Sequence, residues 1–104
     1  MKKYNLILLL VALTLTLSAC GEGTDVVESG TYTGTIAELN AEETEIYVET
    51  ENNKRLELYF TDSTTLTRNG ETVPFSTLEQ GDRVEVTVEK VGQRLEPKSV
   101  KLLE

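Results

Sequence analysis

An all-β domain over residues 31–104 is predicted by three observations. Apolar and polar residues alternate with a period of two from Thr31 onward, as in Ile46-Tyr47-Val48-Glu49 and Val84-Glu85-Val86-Thr87-Val88; this is the pattern of strands with one buried face. No stretch of the region keeps a helical period for ten residues. Turn-forming residues, among them Asn52-Asn53, Asn69-Gly70 and Gly81, separate the alternating runs.

The alternation predicts strands over 32–39, 44–50, 54–61, 83–90 and 93–103, with a short hairpin and a helical turn between the third and fourth. In the first strand, Gly34 stands where a long strand has to coil. In the second and third, Ile46 and Val48 share a face with Leu56, Leu58 and Phe60, and same-face residues must pair across the connection. A two-residue Asn52-Asn53 turn would set Glu49 against Leu56 and mix the faces. A three-residue loop, Glu51-Asn52-Asn53 with Asn53 left-handed, sets Val48 against Leu56 and Glu49 against Arg55, and is the expected register.

Both residues of Asn69-Gly70 tolerate the positive φ of a type I′ turn, which sets Arg68 opposite Glu71, Thr67 opposite Thr72 and Leu66 opposite Val73. Ser76-Thr77-Leu78-Glu79 has the spacing of a capping box, with Gly81 available for the left-handed terminal position and Phe75 and Leu78 as a plug for the core. Val84, Val86 and Val88 form an inward row. Counting back from Leu95 opposite Val88 sets Glu89 against Arg94 and Glu85 against Lys98, an outer face laced with ion pairs. Pro97 cannot donate to a ladder and predicts an edge or a bulge, after which Val100 and Leu102 resume the inward phase.

Three consecutive antiparallel strands, a small plug and a closing hairpin follow the element order of an OB barrel. The predicted fold is a small five-stranded OB-like barrel with an inserted hairpin and one helical turn. An open β-sandwich or half-barrel is the competing architecture, because strand order does not prove closure. Gly34-Thr35-Ile36, the Thr-rich run 61–67 and Leu78-Glu79-Gln80-Gly81-Asp82-Arg83-Val84-Glu85-Val86 resemble a family of exported bacterial OB-like domains of unassigned function, over about residues 31–103. That resemblance supports the fold and carries no catalytic residue with it.

Residues 1–19 have the make-up of a signal peptide: a cationic start at Lys2-Lys3, then an apolar run from Leu6 to Leu17 broken only by Thr14 and Thr16. The run is too short to span a bilayer, which takes roughly 20 apolar residues. Leu17-Ser18-Ala19-Cys20 resembles the lipobox of bacterial lipoproteins. The resemblance implies cleavage before Cys20 and a diacylglyceryl group on its thiol; an ordinary secretory signal would leave an exposed free thiol instead. It also implies outer-membrane sorting in a Gram-negative cell, because Gly21 stands where an Asp would retain the protein at the inner membrane; otherwise the protein is held on the outer face of the cell membrane. Residues 20–30 are then the lipidated cysteine and a flexible acidic tether, with a reach of roughly 17 Å for a Gly-rich coil of this length.

Composition narrows the function. The chain has one cysteine and no histidine, which excludes internal disulfides, Ser-His-Asp triads and most zinc geometries. The formal charge of −8 includes Lys2 and Lys3, so the part beyond the signal carries −10, which repels nucleic acid. The dense carboxylates are Glu42, Glu43 and Glu45, with Asp25 and Glu28 in the tether; no EF-hand-like loop is present, so a solvated acidic turn is expected, with no metal site and no cofactor. About eighty residues offer no deep cleft for two-carboxylate hydrolysis, and the domain is expected to be non-enzymatic. Tyr47 and Tyr59 have outward parity on the second and third strands, the surface that OB folds use for ligands; with Arg55 and Glu57 they form the candidate binding face. The expectation is a membrane-anchored envelope lipoprotein with a binding or accessory role toward an envelope protein. A cation- or glycan-binding module and a structural or stress-related lipoprotein are the alternatives.

Replacing Cys20 by Ser is expected to release or mislocalise an otherwise folded domain. Cell fractionation reads this directly, and a Cys20→Ser protein that stays membrane-bound would refute the anchor.

Overall fold

The computed structural model describes residues 23–103, so the signal segment, Cys20, Gly21 and the final residue lie outside the described part. Seven strands run in the order β1 (Gly30–Asn40), β2 (Glu45–Thr50), β3 (Arg55–Tyr59), β4 (Thr65–Arg68), β5 (Glu71–Thr72), β6 (Arg83–Val91) and β7 (Arg94–Leu103). They form one sheet, β3-β2-β1-β6-β7-β4-β5. The architecture is all-β and OB-like, with two corrections: the sheet has seven strands rather than five, and it is not closed by hydrogen bonds, since β3 and β5 are its edges. The hairpin expected as an insertion accounts for the two extra strands. Its first arm joins the sheet in parallel with β7, Leu66 against Val100, because Leu66 needs the cover of the inner face. Thr64 donates its hydroxyl to the Pro97 carbonyl at 2.9 Å as the chain crosses to that position.

β1 serves two partners in succession. It pairs with β6 from Gly30↔Val88 to Thr35↔Arg83 and with β2 from Gly34↔Thr50 to Asn40↔Glu45. Both ladders meet at Gly34 and Thr35. A Cβ on Gly34 would collide with the Glu49 carbonyl oxygen and lie 2.8 Å from Val48 Cγ1, so glycine is required here by the approach of β2.

The β2–β3 register is the expected one, with Val48↔Leu56 and Glu49↔Arg55 and with Asn53 at φ 66°. The Asn69-Gly70 turn also forms as expected, pairing Arg68↔Glu71 and Thr67↔Thr72. Beneath these strands Ile36, Ile46, Val48, Leu56, Leu58, Val84, Val86 and Val100 are fully buried. Leu78 joins that core, while Phe75 packs against its margin and meets Phe60 edge-on at 5.0 Å between ring centroids.

Two local expectations are corrected. The capping box does not form: the turn is a 3-10 element at Phe75–Thr77 that starts from Pro74 with no side-chain cap. Pro74 is extended and starts the turn before Ser76 can cap it, and Asp82 Oδ2 accepts from the Glu79 amide at 2.8 Å. The β6–β7 register also differs. Gly92 at φ 63° opens a two-residue turn, giving Val91↔Arg94, Lys90↔Leu95 and Val88↔Pro97. The ladder then shifts at Thr87/Val88, opposite Pro97, where a residue without an N–H was expected to cause a bulge. The ion pairs follow this register and join Lys98 to Glu89 at 3.4 Å and Lys101 to Glu85 at 3.5 Å, in place of the expected Glu85–Lys98 and Glu89–Arg94 pairs. Being exposed, they contribute about 0–1 kcal/mol each.

The segment before β1 lies against the barrel. The Asp25 amide donates to the Arg55 carbonyl at 2.7 Å, and the Arg55 amide donates to Asp25 Oδ2 at 2.9 Å. Ser29 Oγ accepts from the Lys90 amide at 2.9 Å, and the Glu28 carbonyl accepts from the Tyr32 hydroxyl at 2.7 Å. The stretch expected as tether is thus docked from Asp25 onward.

Gly34→Ala is expected to lower stability by about 1–3 kcal/mol, the usual effect of forcing a methyl into a packed site. A denaturant midpoint that falls at unchanged slope supports this, and an unmoved midpoint would show that β2 can yield.

Candidate functional site

On β2 and β3 the parity that buries Ile46, Val48, Leu56 and Leu58 turns Glu45, Tyr47, Glu49, Arg55, Glu57 and Tyr59 to the other face. Cross-strand partners on that face are Glu45↔Tyr59, Tyr47↔Glu57 and Glu49↔Arg55. The register therefore gathers two carboxyls and two phenols into one square. The Tyr47 hydroxyl donates to Glu57 Oε2 at 3.3 Å and the Tyr59 hydroxyl to the same oxygen at 3.1 Å.

The four candidates Tyr47, Tyr59, Arg55 and Glu57 are neighbours, but Arg55 has a different task. Its guanidinium lies 4.9 Å from the centroid of the Tyr47 ring and is shared between Glu49 at 2.9 Å and Glu38 at 3.2 Å. It holds Tyr47 in place and is already paired.

Glu45, expected on the second strand beside the tyrosines but as part of a solvated acidic turn, is instead buried. Glu42 and Glu43 are exposed in the 3-10 turn Ala41–Glu43, as a solvated acidic turn requires. Thr44 then takes a left-handed conformation, φ 47° and ψ 50°, and Glu45 enters β2 as its first residue. It is only 5% exposed, and its Oε2 atom has no hydrogen-bond partner. The available signal was parity: Glu45 shares the outward phase of Tyr47, and the register set by the 51–53 loop puts it opposite Tyr59.

The electrostatics follow from this crowding. The Glu45 and Glu57 carboxyls are in hydrogen-bonding contact; that contact, then burial, pushes the Glu57 carboxyl up. Burial also works to raise Glu45, but its contacts with Glu57, Tyr47 and Tyr59 outweigh burial and hold it below the ordinary carboxylate value. Tyr47 is pushed up to about 12 by the close approach of the Glu45 carboxylate, its burial and the nearby Glu57 charge. Tyr59 is raised by the close approach of the Glu45 carboxylate and by its hydrogen bond to Glu57. Both phenols thus remain protonated donors at neutral pH.

Two carboxyls in contact leave no room for the water or sugar of a glycosidase, whose carboxyls stand at least about 5 Å apart. The arrangement is an all-oxygen donor set. Among the described residues no three carboxylates, thiols or imidazoles converge, so the set is two carboxylates and two phenols. Glu57 and Tyr59 open onto a cleft of about 220 Å³, walled by Val26 of the docked segment on one side and Leu95 and Glu96 of β7 on the other.

No protein-family model matches the chain, and no curated protein matches it in sequence. Solved structures do match. A Cu(II) structure of a CusF variant from Escherichia coli superposes with a TM-score of 0.59 at 13% identity, over 74% of this chain and 94% of that one. The Ag(I) form of Escherichia coli CusF gives 0.58 at 14% identity with the same coverage, and its apo form gives 0.55 over 74% and 89%. The fold is CusF-like. At such identity the likeness concerns the backbone arrangement, an OB-like β-barrel, and not the residues of any site.

Glu57→Gln is expected to raise the unfolding midpoint at neutral pH in chelator-treated buffer. Between the ordinary value of 4.5 and its raised folded value, Glu57 keeps a proton in the folded wild type that the unfolded chain has released. Wild-type stability from this group therefore falls as pH rises through the folded value, and the advantage of the variant closes as pH drops toward 4.5. Thermal melts of both proteins across that range are the measurement, and an advantage independent of pH would refute the raised Glu57 carboxyl.

Proposed function

We propose that this chain is a non-enzymatic, lipid-anchored module of the bacterial cell envelope that binds a cation on the outer face of β2 and β3. The observation that carries the reading is Glu45, a carboxylate 5% exposed whose Oε2 has no partner, set against a second carboxylate. A buried carboxylate oxygen left without a donor is costly, and a bound cation is a direct remedy. The charge of −10 beyond the signal favours cations over anionic ligands. The fold likeness to proteins solved with Cu(II) and Ag(I) supports the same class of role.

Anchoring rests on the signal segment and the lipobox-like Leu17-Ser18-Ala19-Cys20, with Gly21 supporting outer-membrane sorting where an outer membrane exists. The absence of histidine and the touching carboxyls support a non-enzymatic role. A glycan platform is less well served, because Arg55 covers the Tyr47 ring and both tyrosine hydroxyls are committed to Glu57.

A second reading, docking of an envelope protein, is favoured by one observation. Among the described residues the exposed large hydrophobics are Tyr59, at 46%, and Val26, at 38%, and both line the same cleft. In-cell crosslinking with Tyr59→Ala as control separates the two readings: loss of a crosslinked protein in the variant favours docking.

Melting of the full chain with a panel of mono- and divalent cations tests the main reading. At least one ion is expected to raise the midpoint in wild type and not in Glu45→Gln, by about 4–8 °C per kcal/mol of linked binding. If no cation moves the wild-type midpoint, the reading fails.

A further inference from the structure

We infer that the ion accepted by this site is a hard divalent cation of the calcium, magnesium or manganese class, held by Glu45 and Glu57 with the Tyr47 and Tyr59 hydroxyl oxygens beside them. The inference rests on the cation-binding reading above and specifies its ligand.

The first argument is donor chemistry. Soft ions such as Cu(I) and Ag(I) select thiolate and thioether sulfur, and borderline ions select imidazole as well. The chain has no histidine, and its single methionine and single cysteine are Met1 and Cys20, both outside the described residues 23–103. What the barrel offers is carboxylate and hydroxyl oxygen, the donors that hard cations take. A shared fold with CusF therefore does not extend to a shared kind of ligand.

The second argument is charge. Two adjacent carboxylates present up to two negative charges, and the nearest guanidinium, that of Arg55, is already divided between Glu38 and Glu49. Across the cleft Arg94 is paired with Glu96 at 2.6 Å. The arginine that lines the cleft is thus already paired, and a divalent ion matches the charge of the two carboxylates.

The third argument is space. Four protein groups are fewer than the six to eight oxygens that calcium takes or the six that magnesium takes, so solvent has to complete the shell. Glu57 and Tyr59 line the cleft of about 220 Å³, which at roughly 30 Å³ per water holds several waters. The ion can thus be bound on the protein side by the square and on the open side by water.

The test is equilibrium binding to the full chain of Ca²⁺, Mn²⁺, Cu²⁺ and Ag⁺ separately, by calorimetry, with Mn²⁺ also followed by its paramagnetic resonance signal. The expected result is saturable binding of Ca²⁺ or Mn²⁺ at one site, weakened at least tenfold by Glu45→Gln and by Glu57→Gln. Both substitutions are isosteric and remove charge, and circular dichroism confirms that the variants are folded. Binding of Cu²⁺ or Ag⁺ without Ca²⁺ or Mn²⁺ would overturn this inference and leave the broader cation reading standing. Binding of Ca²⁺ or Mn²⁺ that neither substitution weakens would also overturn it, since the ion would then sit elsewhere. Failure of all four ions removes both.

Discussion

The structure depends on the pairing of Val48 with Leu56 across the β2–β3 connection. One left-handed residue, Asn53, makes that connection three residues long, and the length decides which side chains of both strands face the core. A slip by one residue would set Glu49 against Leu56 and mix the faces, turning the outer residues of one of the two strands, Glu57 and Tyr59 or Glu45 and Tyr47, toward the core. The same constraint that builds the core therefore assembles the candidate site, because every residue not turned inward is turned onto one outer square.

That square has an unusual balance for an outer face. Outer positions on β6 and β7 are solvated ion pairs, Lys98 with Glu89 and Lys101 with Glu85, which the domain can hold at little cost. On β2 and β3 the partners of the carboxyls are phenols and another carboxyl, and Glu45 is withdrawn from solvent. Both phenol hydroxyls donate to Glu57 Oε2, and the buried Oε2 atom of Glu45 has no hydrogen-bond partner. This contrast sets the β2–β3 face apart from the rest of an acidic surface and points to a ligand there.

The docked segment contributes as well. Asp25 bonds to the backbone of Arg55 at the free edge of β3, and Val26 forms a wall of the cleft.

Much of this was legible in the sequence. Period-two alternation, the 51–53 loop and Asn69-Gly70 determined the all-β class, the strands, two of the registers and most of the core, because each depends on residues close in the chain. They also placed Tyr47, Tyr59, Arg55 and Glu57 on one face. Tertiary structure alone decided the rest. The β6–β7 register turned on a single positive φ at Gly92, the failed capping box on competition from Asp82, and the parallel β4–β7 pairing on the need to cover Leu66. Most of all, the burial of Glu45 was decided there. Parity could place it on the outer face, but whether an outer residue meets water depends on what packs over it, and that is set by groups distant in sequence.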